Sequence, residues 1–219
     1  MKLLIKFPTR NRPKKFLNVL MKYINMLDDK STEILVSCDS DDETMNNPFI
    51  VEVLKQYENV KLFFENNKTK IEAVNNNLKN FEFDIILLAS DDMIPIIKGF
   101  DTIIKNKMKE TYPDTDGVLW FNDGFQGNKL NTLSILGKKY YDRFGYIYNP
   151  NYKSVWCDNE FMDVANILGK QTYFDEIIIK HEHPDWGYGE RDVIHQENSK
   201  NHNNDKITYE TRKNNNFYL

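Results

Sequence analysis

The chain has 219 residues, of which 40% are hydrophobic and 28% charged, and its formal net charge is −4 at pH 7. That length suffices for one well-buried domain and is a stretch for two, and the balance excludes a disordered chain. The net charge excludes a global attraction to polyanions, so nucleic-acid binding would need a local basic patch. Cys38 and Cys157 are too few for a secreted disulfide scaffold and read as reduced, partly buried thiols. The opening MKLLIKFPTRNRPKK has too short an apolar run for a signal peptide, and no segment reaches the length of a membrane span. A cytosolic protein is expected, in which Asn67-Lys68-Thr69 is a chance match to the N-glycosylation sequon.

Leu3–Phe7 reads as a strand, and Lys14–Leu27 as a helix with Phe16, Leu17, Leu20, Met21, Ile24 and Leu27 on one face. Glu33–Cys38 is the second strand, followed by a polar loop and a helix near Pro48–Tyr57. Val60–Phe64 is a strand and Ile71–Leu78 a short helix. Asp84–Ala89 is a continuous apolar run, as a central buried strand requires. A helix over Ile96–Lys109 leads to the strand Gly117–Phe121. Strands separated by helices imply parallel crossovers, helices on both faces of the sheet, and ligands beyond the carboxyl ends of the strands.

The second half is less regular. Leu133–Leu136 reads as a strand, Lys138–Phe144 as a short helix and Gly145–Trp156 as an aromatic loop. Asp158–Ile167 is a helix and Glu176–Glu182 a strand. From about Asn198 the chain is rich in Asn and Lys with little apolar content, so 198–219 reads as a polar, partly ordered tail.

The strand ends carry the chemistry. The first runs into Pro8-Thr9-Arg10-Asn11-Arg12, the second into Asp39-Ser40-Asp41-Asp42, the fourth into Ser90-Asp91-Asp92 and the fifth into Asn122-Asp123-Gly124. Adjacent carboxylates such as Asp91 and Asp92 repel unless neutralised, and a hard divalent cation, Mg²⁺ or Mn²⁺, that also holds a diphosphate would do so. The competing use is an acidic start to the following helix. Asp39 can accept hydrogen bonds from a nucleobase or ribose, or simply shape a turn. Arg10 and Arg12 can offset this acidity, touch phosphate, or stand as solvated surface arginines. His181 and His183 share a strand face with Ile177 and Ile179, and imidazole suits borderline transition metals; a buried structural histidine is the alternative. Trp120, Trp156 and Trp186 stand near loop or strand ends, where an indole can stack on a sugar or a base, although hydrophobic packing is its commoner use.

Phe7-Pro8-Thr9-Arg10-Asn11-Arg12-Pro13 resembles the opening strand and loop of family 2 glycosyltransferases with the GT-A fold. Cys38-Asp39-Ser40-Asp41-Asp42 resembles the acidic loop that contacts the nucleobase in that family, and Lys70-Ile71-Glu72-Ala73-Val74-Asn75 a helix with Ala and Asn so spaced. Ser90-Asp91-Asp92 is similar to the metal-binding Asp-x-Asp motif, with Ser in its first position. Trp156-Cys157-Asp158-Asn159-Glu160-Phe161 looks like the stretch that supplies the catalytic base, with Cys157 where Glu is usual.

The resemblance implies an α/β, GT-A-like (nucleotide-diphospho-sugar transferase) fold, a mostly parallel central sheet flanked by helices. Residues 1–197 would form one catalytic domain, with 1–124 binding the nucleotide-sugar and 125–197 facing the acceptor. It implies a metal-dependent transfer of a sugar to a hydroxyl of a glycan, protein or small molecule, with inversion and with Mn²⁺ or Mg²⁺. Pro8, Thr9, Arg10, Arg12, Asp39, Asn75 and Asp91 would bind the donor, and Asp92 with His183 or His181 the metal. Asp158 would be the base or merely cap its helix, and Trp120, Asp123 and Trp156 would meet the acceptor. Two rivals stand beside this reading. A sugar nucleotidyltransferase usually opens with a Gly-rich phosphate loop, and no glycine precedes Gly99. A catalytically silent binding or scaffold protein would not need Asp91, Asp92 and Asp158.

Overall fold

The computed structural model describes residues 1–183, 187 and 193–219. Strand β1 (Leu3–Pro8) lies inside the sheet, between β2 and β4, and its side chains alternate between two layers. Leu3, Ile5 and Phe7 enter one apolar cluster and Leu4 the other. Helix α1 (Pro13–Met26) begins with proline, which is pre-set for a first turn, and lays Phe16, Val19, Leu20, Tyr23 and Ile24 on the first face. Strand β2 (Glu33–Asp39), helix α2 (Pro48–Leu54) and strand β3 (Val60–Glu65) continue the parallel winding. Thr69 caps helix α3 (Lys70–Asn75) by accepting from the Glu72 N–H, and Glu72 accepts in turn from the Lys68 N–H. The sequon threonine is therefore a helix cap.

Strand β4 (Ile85–Leu88) pairs with the other edge of β1. After it come strand β5 (Met93–Pro95), helix α4 (Phe100–Thr111), strands β6 (Val118–Phe121) and β7 (Ile135–Gly137), and helices α5 (Lys138–Asp142) and α6 (Cys157–Ile167). Strands β8 (Gln171–Phe174) and β9 (Ile179–His181) and helices α7 (Val193–Lys200) and α8 (His202–Asn214) follow. The main sheet has the order β3-β2-β1-β4-β7-β6-β8, and β5 and β9 form a separate antiparallel pair. Only β7 runs against its neighbours, so the carboxyl ends of the other six strands share one edge. Helices α1, α2 and α4 cover one face, and α3, α5 and α6 the other. No helix among the described residues is long and apolar enough to cross a membrane.

Three features differ from the sequence expectation. Ser90-Asp91-Asp92 leads into the short strand β5 rather than a helix; α4 starts only at Phe100, behind Gly99. Strand β8, at the sheet edge and half-buried throughout, lacks the apolar run that would announce it. Residues 202–214, expected within a polar tail, form α8 and pack on α6. Trp186 lies outside the described residues.

Lys6 is fully buried in β1, on the face shared with Leu4. Its ammonium donates to the Ser37 hydroxyl and, at 2.8 Å, to the Asn76 carbonyl. Burial pulls its pKa down to about 7, against the charges of Cys38 and Glu65. The unfolded chain, with the ordinary lysine value of 10.5, binds more protons between those two values, so stability rises with pH through that window. From pH 7 to pH 9, denaturant unfolding should show the wild type gaining on the order of 2 kcal/mol over Lys6→Met. Parallel profiles for the two proteins would refute a depressed lysine.

Candidate active site

The ends of β1 and β2 are tied by charge. Arg10 donates to Asp39 at 2.6 Å and to both oxygens of Asp41 at 2.6 and 3.1 Å. The other Asp39 oxygen accepts from the Asn67 amide at 2.7 Å, and Asn67 in turn accepts from Asn76 at short range. Asp42, 1% exposed, accepts from the Asn11 N–H at 2.7 Å and from Thr44, which fixes the loop after β1. Arg10 thus braces the acidic loop, while Asp39 keeps its place at the strand end beside Glu65.

Asp91 and Asp92 are adjacent yet serve different neighbours. Asp91 accepts from Arg12 at 2.8 Å and from Thr9 at 3.4 Å, with Lys15 at 3.6 Å. The protein's own cations therefore offset the charge of Asp91. Burial pushes the Asp91 carboxyl above its ordinary value, against the pull of Arg12. Asp92 accepts from the Ser90 hydroxyl, and His181 Nε2 stands 3.7 Å from its Oδ1. Burial opposes the ionised form here too, but His181, Ser90 and Lys15 overcome it and hold Asp92 far below the ordinary carboxylate range. Asp92 is therefore an ionised, buried oxygen donor.

Backbone pairing brings His181 there. Met93 lies opposite His181 in the β5–β9 ladder, and the Glu182 N–H donates to the Asp92 carbonyl at 2.7 Å. His183 is half-buried, its ring 5.7 Å from that of His181. Asp123, 2% exposed, accepts from the Phe125 and Gln126 N–H groups and from Thr132 at 2.6 Å. Gly124 permits this turn, with φ at 87°. The Asp123 carbonyl also accepts from the His181 N–H at 2.9 Å, and its carboxylate stands 3.9 Å from His181 Nδ1. Asp123 thus backs His181 rather than facing outward to an acceptor.

Among the described residues no group of three or more His, Cys, Asp or Glu side chains could hold a metal ion. Asp92 Oδ1 and His181 Nε2, 3.7 Å apart, are nonetheless donor types that a divalent ion accepts. Mg²⁺ and Mn²⁺ sites commonly take one or two protein ligands and complete the set with substrate phosphate and water.

Asp158 stands in the first turn of α6, behind Trp156. Its carboxylate accepts from the Asn159 N–H at 3.0 Å, and among the described residues no side chain bonds to it. It does not cap the helix, since the residue in the capping place is Trp156. Burial raises the Asp158 pKa above the ordinary carboxylate value, opposed by Lys70 and, more weakly, by His181, so all three groups share one electrostatic neighbourhood. Trp156 has a left-handed backbone, with φ at 63°, and its ring lies against Tyr209 and His202 of α8. Trp120 is 7% exposed and meets Tyr173 edge-on. Both indoles are used in packing.

Asn75 is also spent internally. Its Oδ1 accepts from the Ile147 and Tyr148 N–H groups at 2.9 and 3.2 Å, and its amide donates to the Tyr148 carbonyl at 2.7 Å. It anchors the aromatic loop to α3. Asn75→Ala should cost about 2–3 kcal/mol in denaturant unfolding while nucleotide affinity stays within about twofold. A large loss of nucleotide affinity at unchanged stability would return Asn75 to the donor site.

Sequence reading missed Ser90, Lys15, Lys70 and Asn67 as neighbours of these groups. Ser90 and Asn67 lay inside quoted motifs and carried a signal. Lys70 also opens a quoted motif, but neither lysine pointed to this edge, since a lysine near a helix start usually meets only solvent.

These strand ends belong to a GT-A-like glycosyltransferase fold, a mixed α/β structure around a seven-stranded, mostly parallel sheet. No family model and no curated protein sequence matches the chain. Solved structures do. A mannosyltransferase from Pyrobaculum calidifontis, in complex with GDP-Man and Mn²⁺, superposes with a TM-score of 0.65 over 85% of this chain at 13% identity. S. aureus TarS 1–349 with UDP-GlcNAc gives 0.65 over 82% at 19% identity, and the same fragment alone 0.63 over 82% at 20%. The chain spans 58% of the mannosyltransferase and 58% and 60% of the two TarS chains.

Proposed function

We propose that this chain is a metal-dependent glycosyltransferase that moves a sugar from a nucleotide-sugar to an acceptor hydroxyl with inversion. The observation that carries the reading is the pair Asp92 and His181, 3.7 Å apart, in one electrostatic neighbourhood with the half-buried Asp158. Neighbours of the same fold that hold GDP-Man with Mn²⁺, or UDP-GlcNAc, support it.

In this reading Asp39 meets the base or ribose, and Asp91, set by Arg12 and Thr9, meets the ribose. Arg12 and Lys15 bring positive charge beside the diphosphate. Asp92 and His181, with His183 as the alternative imidazole, would hold Mn²⁺ or Mg²⁺. The ion would supply charge neutralisation of the departing diphosphate. Asp158 would take the proton of the acceptor hydroxyl as the new bond forms on the face opposite the leaving group. A carboxylate raised by burial suits that task, because it binds a proton more strongly than an exposed one.

Calorimetry with UDP or GDP should show Mn²⁺-dependent binding that Asp92→Ala loses while its melting temperature stays near that of the wild type. Unchanged metal-dependent affinity in that variant would refute the metal site.

Asp158→Asn keeps the side-chain shape and removes its basicity. Turnover should fall by about 10²–10⁴-fold with little change in donor affinity. In the wild type the acid limb of the rate profile should lie above the ordinary carboxylate range, because a raised pKa leaves the base protonated to higher pH. A product of retained anomeric configuration, or near-normal turnover in the variant, would overturn the assignment.

A further inference from the structure

Asp205, in the first turn of α8, is 2% exposed and accepts from the backbone N–H groups of Lys153, Ser154 and Val155 at 3.0, 2.9 and 3.0 Å. A carboxylate that takes three backbone donors spends both oxygens on one loop and fixes its path. One turn on, Tyr209 lies 5.2 Å from the Trp156 ring, and its hydroxyl donates to Asp163 at 2.7 Å. A turn further, Arg212 donates to both oxygens of Glu160, at 2.7 and 3.0 Å. These three residues follow one another by four and three positions, so they share one face of α8. Their targets bracket Asp158: a loop and Trp156 before it, Glu160 and Asp163 after it.

Trp156 itself is a left-handed, non-glycine residue, a conformation that persists only where its surroundings over-determine it. The loop before it is held by Asp205 and its ring by Tyr209 and His202. Among the described residues, Asp205, Tyr209 and Arg212 bond to nothing on the edge that carries Asp39, Asp91 and Asp92.

We infer that α8 is a splint for the base, with Asp205 a positioning residue that sets how α6 begins and therefore where the Asp158 carboxylate stands. This rests on Asp158 being the base. The splint acts on the acceptor half of the reaction alone, so its loss separates proton transfer from donor binding.

The test is Asp205→Asn in the full chain, which keeps the size of the side chain but leaves one accepting oxygen. Hydrogen exchange at the amides of 153–155 should quicken by about tenfold or more. The Asp158 titration, followed by ¹³C-carboxyl NMR, should fall towards the ordinary carboxylate range as the group gains solvent. Affinity for UDP or GDP with Mn²⁺ should stay within about twofold, the split expected when only positioning is lost. If Asp205→Asn does not fold, Tyr209→Leu removes the ring against Trp156 and the bond to Asp163, and is read in the same way. Unchanged exchange at 153–155, or freed amides with an unmoved Asp158 titration, would overturn the splint. An unmoved titration with an inactive Asp158→Asn would leave the base standing without it. Normal turnover in Asp158→Asn with a shifted titration in Asp205→Asn would remove the base and keep the splint.

Discussion

The meeting of Asp92 and His181 depends on a three-residue ladder. Strands β5 and β9 pair over Met93–Pro95 and Ile179–His181, residues nearly ninety positions apart in the chain. The β4–β7 ladder joins the second half of the chain to the first, and the β5–β9 pairing adds the register that sets His181 beside Asp92. The ladder is short, so its neighbours reinforce it. The Asp92 carbonyl accepts from Glu182, and the Asp123 carbonyl from His181, which extends the backbone bonding on both sides of the histidine. A net gain of about 1 kcal/mol for each such bond is modest, but leaving the same groups buried and unpaired would cost about 1–3 kcal/mol each. The closed arrangement wins mainly because the open one would strand polar groups.

The same edge shows how the fold tolerates so many buried carboxylates. Asp39, Asp91, Asp92 and Asp123 all have exposures of 9% or less. Each is assigned its own partner: Arg10, Arg12, His181, and a turn of backbone donors with Thr132. A buried ion pair need not stabilise a fold, because desolvation offsets much of the Coulomb gain, but removing one member strands a charge. These pairings therefore hold positions rather than add stability. Asp92 differs from the others in that it accepts from the Ser90 hydroxyl, with the His181 imidazole 3.7 Å away in place of a guanidinium in contact.

Most of the first 125 residues was legible because strands β1 to β4 and β6 are apolar runs and the helices between them have apolar faces. The rule that ligands bind beyond the carboxyl ends of parallel strands drew attention to Asp39, Asp91 and Asp92 at strand ends, where the structure has them. Strand β5 escaped because a three-residue strand ending in Pro95 has no period to detect, and its absence let Asp91 and Asp92 pass for a helix start. Asn75 was named for the right motif and given the wrong task, since nothing local says that its amide will be consumed by residues 147 and 148. Helix α8 was invisible for another reason. Its inner face is Asp205, Tyr209 and Arg212, and a helix held by ions and one ring presents no hydrophobic stripe.

That choice of inner face has a consequence for the geometry around Asp158. An apolar stripe would press α8 onto α6 without fixing its register, because hydrophobic contact is not directional. Hydrogen bonds donated to a buried carboxylate are directional, and bonds to charged groups contribute roughly 1.5–3 kcal/mol each. Three of them converge on Asp205. Together they exceed the roughly 1–3 kcal/mol that a left-handed, non-glycine residue such as Trp156 costs. The strained turn is therefore stable while α8 is docked and is unsupported without it. A general base must meet its acceptor within hydrogen-bond reach, and a shift of about 1 Å can remove much of its effect. For the base proposed at Asp158, directional restraint therefore matters more than additional burial.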